Sequence, residues 1–260
     1  MNKEINAILT IASRDIIKLF RDRMRLIMGL IFPFVFVGIL GTSLQENIGK
    51  DLQYNFLTFV FIGVLGQTLF QSTASGIISL IEDRENDFAQ ELFVAPISRF
   101  TLLIGKILGE TGVAYSQTVG VIIMGLFLGL RFAPSELILI LIGGIICSLA
   151  GGSFGLMVLA NLQSQRSANQ LFPFLIFPQF FLAGVFNPIK HLPPILFVLS
   201  RIAPMTYAVD FIRGLYYLGK PEAEEVVLHS PLLNLSVLAG MSAIFLVIGT
   251  YLFIKNEKEK

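Results

Sequence analysis

Six long apolar stretches, separated by short polar breaks, limit what this chain can fold into more than any other feature. They lie at roughly 26–44, 55–81, 102–130, 136–160, 170–187 and 232–254. A helix needs about 20 apolar residues, at 1.5 Å each, to cross a hydrocarbon layer of ~30 Å. No water is available there, so the backbone must hydrogen-bond to itself. The expected fold class is an all-α membrane protein with six transmembrane helices in a single domain, 1–260. A charged fraction of 14%, against roughly 25% in soluble domains, agrees.

An even number of spans returns both termini to one side, and basic residues mark the cytoplasmic side. With the N-terminus inside, Lys3, Arg14, Lys18, Arg21, Arg23, Arg25, Arg84, Arg99, Lys106, Arg166, Lys255, Lys258 and Lys260 fall inside, 13 of the 19 Lys and Arg. Lys50, Arg131, Lys190, Arg201, Arg213 and Lys220 fall outside. Both termini are expected in the cytoplasm and the chain in the plasma membrane. Residues 1–25 precede the bundle at 26–254, and 255–260 form a tail. Within the first segment Ile5, Ile8, Leu9, Ala12, Ile16, Leu19 and Phe20 recur at helical spacing, with the basic residues mostly off that stripe. Such a helix is expected to lie along the membrane surface, although the same pattern allows packing on other protein segments. It carries no cleavage site of the kind that ends a secretory signal.

The segment 188–231 is too apolar for an open loop, yet Pro188, Pro193, Pro194 and Pro204 interrupt it. A pair of short helices dipping into the outer leaflet is expected. Arg201, Asp210 and Arg213 are expected to face water or pair with one another, Asp210 and Arg213 being at the i, i+3 spacing of a weak ion pair.

Signs of chemistry are few. Gly105-Lys106 lacks the rest of a phosphate-binding loop. His191 and His229 show no metal-ligand spacing, and Cys147 sits in an apolar run. No catalytic, metal or cofactor site is expected on this chain, and a net charge of +1 gives no pull towards nucleic acid. Gly143, Gly144, Gly151, Gly152 and Gly155 suit close helix packing. Gln67, Gln71 and Ser75 form one polar stripe on the second span, consistent with a substrate pathway or with hydrogen bonds between helices. Glu110, about a turn inside the third span, either lines that pathway or reaches the cytoplasmic interface, the second being favoured because helix ends tolerate charge better than the bilayer centre.

Between the second and third spans stands "IEDRENDFAQELFVAPISRF", with five acids at Glu82, Asp83, Glu85, Asp87 and Glu91. Phe88, Leu92 and Ala95 suggest a short amphipathic helix over 82–95 that Pro96 ends, and Ser98 is a good N-cap for the next span. This block, followed by "TLLIGK", resembles a signature of the ABC transporter type-2 permeases. The later "FPQFFLAGVFNPIKHLPPILFVLSRIAPMTYAVDFIRG" resembles their second signature, so the resemblance covers nearly the whole chain. It implies an elbow role for the N-terminal helix and a coupling helix carrying Glu82, Arg84, Glu85, Glu91, Leu92, Pro96 and Arg99. It also implies a re-entrant gate with Pro204, Tyr207, Asp210 and Arg213. The implied partners are two copies of a cytoplasmic ATPase, which would hold ATP and Mg, a second permease half that is expected to be an identical chain, and membrane lipid. Export of an amphipathic drug-like or lipid-like compound is the first reading, with export of lipid-linked polysaccharide and an ion-coupled carrier as alternatives.

Overall fold

In a computed structural model describing residues 2–47, 49, 52–85, 98–159, 161–162 and 164–258, all regular structure among the described residues is helical. The chain runs through α1 (Asn2–Arg21) and α2 (Arg23–Pro33), then a π-helical stretch, Phe34–Gly41, into α3 (Thr42–Asn47). It continues with α4 (Phe56–Gly76), α5 (Ile78–Glu85), α6 (Arg99–Phe127), α7 (Pro134–Leu159) and α8 (Gln165–Leu182). Two short helices, α9 (Pro194–Ser200) and α10 (Pro204–Tyr216), precede α11 (Ala223–Val226) and the long α12 (Pro231–Lys258). The winding changes directly after Pro33, where the missing N–H and the ring oppose regular α-helical bonding.

Five helical stretches are long and apolar enough to cross a membrane: Leu26–Asn47, Phe56–Asp83, Arg99–Phe127, Pro134–Leu159 and Ala223–Asn256. They match five of the six expected spans. The remaining expected span, 170–187, corresponds to α8, which starts earlier and is only 18 residues long. Its polar opening, "QRSANQ", and Pro173 and Pro178 make it less apolar than expected. It nevertheless traverses the bundle. The Gln165 N–H donates to Glu85 at the end of α5, 3.0 Å away. Just beyond the other end of α8, Gly184 shares the Arg213 guanidinium with Phe59 near the start of α4. Thus α8 runs antiparallel to α4 and α5 from one end of the bundle to the other. The end that holds α1 is the α1 end below; the opposite one is the far end.

The expected short helices between the last two crossings are α9 and α10, which meet at a bend of 86°. Each opens with a proline, where its missing N–H leaves no helical bond unmade.

At the centre lies α4, buried along most of its length. Against it packs α7, and glycines set the separation. A Cβ at Gly151 would come within 2.0 Å of the Phe70 carbonyl oxygen, and one at Gly155 within 2.4 Å of that of Ala74. Backbone meets backbone there, as the small residues of this span suggested. Outward faces carry Ile142, Phe174 and Val247, all exposed, whereas Gln67, Ser148 and Asn234 are buried. That distribution suits lipid outside and polar groups sheltered within. The chain is a multi-pass membrane protein.

The first helix, α1, packs lengthwise on α6, in the same direction. Ile8 sits against Gly105, and Ala12 and Asp15 against Gly109; Glu4 accepts a hydrogen bond from the Thr101 hydroxyl. Leu19 is buried, while Ile5, Leu9, Ile17 and Phe20 stay exposed. The apolar stripe is therefore divided between protein and surroundings.

Candidate functional site

Where α1, α5 and α6 meet, five charged groups gather. Asp15 of α1 and Lys106 and Glu110 of α6 are all at most 2% exposed. The Lys106 ammonium lies 2.8 Å from Asp15 and 3.5 Å from Glu110. Glu110 also accepts from the Ser79 hydroxyl of α5, 3.1 Å away. Arg14 of α1 reaches Asp83 of α5 at 2.5 Å and Asp15 at 3.4 Å. The links form a ring: α1 to α6, α6 to α5, and α5 back to α1. Lys18 and Glu82, 3.2 Å apart, add a more exposed pair beside it.

Glycine makes this burial possible. At Gly76 a Cβ would lie 2.0 Å from a Glu110 oxygen, and at Gly109 one would lie 3.0 Å from Asp15. Desolvating these charges is expensive, and only close, well-placed partners offset it. Burial pulls the Arg14 guanidinium down, but its hydrogen bond to Asp83 and the charges of Asp83 and Asp15 carry it above its ordinary value.

Glu110 is fully buried within this ring. Sequence reasoning missed Lys106 and Ser79 as its partners, and Asp15 and Asp83 as the other acids of the ring. One signal was available: Lys106 and Glu110 are opposite charges at i, i+4 inside an apolar run, a spacing at which they share a helix face.

The ring stands at the root of the charged block. Glu82 is paired with Lys18, and Glu85 accepts the first N–H of α8. The backbone of Arg84 belongs to α5. Arg99 opens α6, and the Ser98 oxygen accepts the Thr101 N–H at 3.1 Å, the expected N-cap. Glu91, Leu92 and Pro96 lie outside the described residues, with the rest of 86–97.

Gln67, Gln71 and Ser75 are brought together, as their spacing predicted, in a cavity between α2, α4 and α6. Gln117 of α6 joins them, a residue that no pattern along one helix could have revealed.

The far end is held differently. Arg213 is fully buried and lies with its guanidinium carbon 3.9 Å from the centre of the Phe59 ring. It donates to the carbonyls of Gly184 at 3.0 Å and Phe59 at 3.5 Å. Asp210 accepts from the N–H groups of Leu228 at 2.7 Å and His229 at 2.8 Å, and from the Asn234 amide at 2.8 Å. The expected Asp210–Arg213 pair is absent, and neither residue faces water: each is occupied by a turn or helix start from a different part of the chain. Arg201 meets His229 at 2.8 Å, and the Tyr207 hydroxyl donates to the Arg201 carbonyl at 2.9 Å. Pro204 begins α10. Pro204, Tyr207, Asp210 and Arg213 thus share one end, joined mainly through backbone groups.

Residues 6–217 match the family described as ABC-2 type transporter. The chain is similar to a Cyanophora paradoxa protein named as a transport permease, ycf38: 26% identical over 216 residues, covering 82% of this chain and 74% of that one. A Pyropia yezoensis protein of the same name is 25% identical over 224 residues, with coverage of 82% and 74%. An Escherichia coli protein named as a multidrug ABC transporter permease, YbhR, is 28% identical over 170 residues, which cover 64% of this chain and 45% of YbhR.

Proposed function

The chain belongs to the ABC-2 type transporter family, and from that premise we propose that it is the permease subunit of an ATP-driven exporter in the plasma membrane. Its cargo is an amphipathic drug-like or lipid-like compound. Two copies of a separate cytoplasmic ATPase supply the energy, holding ATP and Mg, and a second copy of this chain completes the passage. The α1 end faces the cytoplasm, where the basic residues concentrate.

One observation carries this reading: the charged block continues directly from α5, and α5 is tied into the ring of buried charges. An ATPase that grips residues 86–97 pulls on α5. The pull then passes through Asp83 to Arg14 and through Ser79 to Glu110, and so reaches α1 and the crossing helix α6. Apolar side chains of similar volume would hold three helices together at least as well. Charges add directionality and a set of alternative partners, which suits a joint between two discrete arrangements. This assigns the ring to transmission and the polar cavity to cargo.

The test is co-purification of the chain with any soluble, Walker-loop ATPase that a neighbouring reading frame encodes. The complex is expected to form and to be lost with Leu92→Asp, but to survive Lys190→Asp at the far end. A wild-type chain that binds no ATPase, or a complex indifferent to Leu92→Asp, contradicts the reading.

A further inference from the structure

The cavity between α2, α4 and α6 has a volume of about 130 Å3. That is close to the ~150 Å3 of an apolar cavity that admits a benzene-sized guest, so a group of about six non-hydrogen atoms fits. Its two sides differ in chemistry. On α4, Gln67 and Thr68 are 3% and 5% exposed, and the Gln67 Oε1 and Thr68 Oγ1 atoms have no hydrogen-bond partner. Gln67 gives its own amide N–H to the Gln71 oxygen, 2.5 Å away, and its carbonyl oxygen still lacks a donor. Gln117 comes in from α6 through space that exists only because residue 29 is glycine: a Cβ there would lie 2.4 Å from the Gln117 Nε2. Opposite them α2 contributes Met28, Phe32 and Pro33. Met28 is more than half exposed and stands at the mouth.

At membrane depth an unpartnered carbonyl oxygen carries a substantial penalty, and whatever fills the cavity must bring a donor. The lining includes no ionisable side chain. A charged guest would therefore be desolvated without a counter-ion, which is strongly unfavourable. Glu110, the nearest acid by sequence register on α6, is committed to Lys106 and Ser79.

We propose that this cavity binds the uncharged, hydroxyl- or amide-bearing headgroup of an amphipathic ligand, with its donor on Gln67 Oε1 and its apolar part leaving past Phe32 and Met28. Thr68 and Gln117 complete the polar contacts. This deepens the export reading by naming the class of cargo and rests on that reading for its role in transport. Binding itself needs no ATPase.

The chain contains no tryptophan, so Met28→Trp provides a single emission reporter in permease purified into lipid nanodiscs. Titration with monolauroylglycerol is expected to give a saturable blue shift. Dodecyltrimethylammonium, charged and without a donor, is expected to bind at least about tenfold more weakly. Gln67→Leu and Thr68→Val should each weaken the glyceride about tenfold, the effect of removing one partner from a buried hydrogen bond. If Gln67→Leu does not assemble, the nearly isosteric Thr68→Val decides by the same threshold. Equal binding of both amphiphiles, an unchanged glyceride affinity in the assembled variants, or no saturable response because water alone fills the cavity would each overturn the proposal. Loss of the ATPase complex in the co-purification test bears on the transport reading instead, so the two failures are distinguishable.

Discussion

At the α1 end Lys106 stands between two carboxylates on different helices, 2.8 Å from Asp15 and 3.5 Å from Glu110. At the far end Arg213 and Asp210 are equally buried, but their partners are chiefly backbone groups: the carbonyls of Phe59 and Gly184, and the N–H groups of Leu228 and His229. Side-chain pairs can re-form after one helix slides on another, because both partners have rotamers to adjust. A guanidinium seated on two fixed carbonyls has one good geometry. Buried charge is therefore held by other side chains at one end and chiefly by backbone at the other, and on the proposed reading the first is a joint and the second a clasp. Proteins that move an element by discrete steps need both, a bistable contact and something rigid for it to act against.

The largest effect that would sharpen this contrast is Lys106→Met. It strands Asp15 and Glu110 together without a cation and should lower stability by about 3–5 kcal/mol, the range for breaking a buried ion pair. Adding Asp15→Leu and Glu110→Leu should return unfolding to near the wild-type midpoint, since apolar replacement of a whole buried cluster is often neutral or better. Next comes Arg213→Met, which removes the donor to the Gly184 carbonyl and a second donor to that of Phe59, and should cost about 1–3 kcal/mol. No second substitution should restore it, because its partners belong to the backbone. Rescue at the far end but not at the α1 end would break the comparison. Asp210→Asn keeps the shape but turns a donor towards backbone N–H groups, for an expected loss of about 1–2 kcal/mol. Smallest is Lys18→Ala: this pair with Glu82 is partly exposed, and less than about 1 kcal/mol is expected. Denaturant or thermal unfolding in one lipid or detergent system would measure all four.

Most of the fold was legible because a membrane imposes length and polarity together. The run of apolar residues at 55–81 and the cap at Ser98 follow from local rules. So does the proline-broken pair α9 and α10. The polar stripe Gln67, Gln71 and Ser75 was visible for the same reason, since residues four apart share a helix face. What stayed hidden depends on contacts between distant segments. Nothing local in "INAILTIASRDIIKLF" says that Asp15 meets Lys106, and the face of α6 that receives α1 carries Gly105, Gly109 and Gly112, which leave little trace in hydropathy. Asp210 and Arg213 invited pairing by spacing, yet each found better-placed backbone partners that the linear order does not reveal. The polar opening of α8 was passed over because a hydropathy reading centres on the apolar part of a span, while Glu85 fixes where that helix begins.

The orientation on which the transmission reading depends can be checked by cysteine accessibility, with Cys147→Ser as the background. A cysteine at Ser13 should be labelled from the cytoplasm only and one at Lys190 from outside only; the reverse pattern would turn the joint away from any cytoplasmic ATPase.

The most direct measurement asks whether movement crosses the ring of charges. Spin labels at Phe127→Cys and Phe181→Cys report the separation of α6 and α8 at the far end, with the chain in lipid and its ATPase bound. ATP should change that distance in the wild-type background. In Asp15→Leu, Lys106→Met, Glu110→Leu the ATPase should still bind and hydrolyse ATP while the distance stays fixed. A full ATP-driven change in the triple variant would show that the ring only fastens the helices and that transmission takes another route.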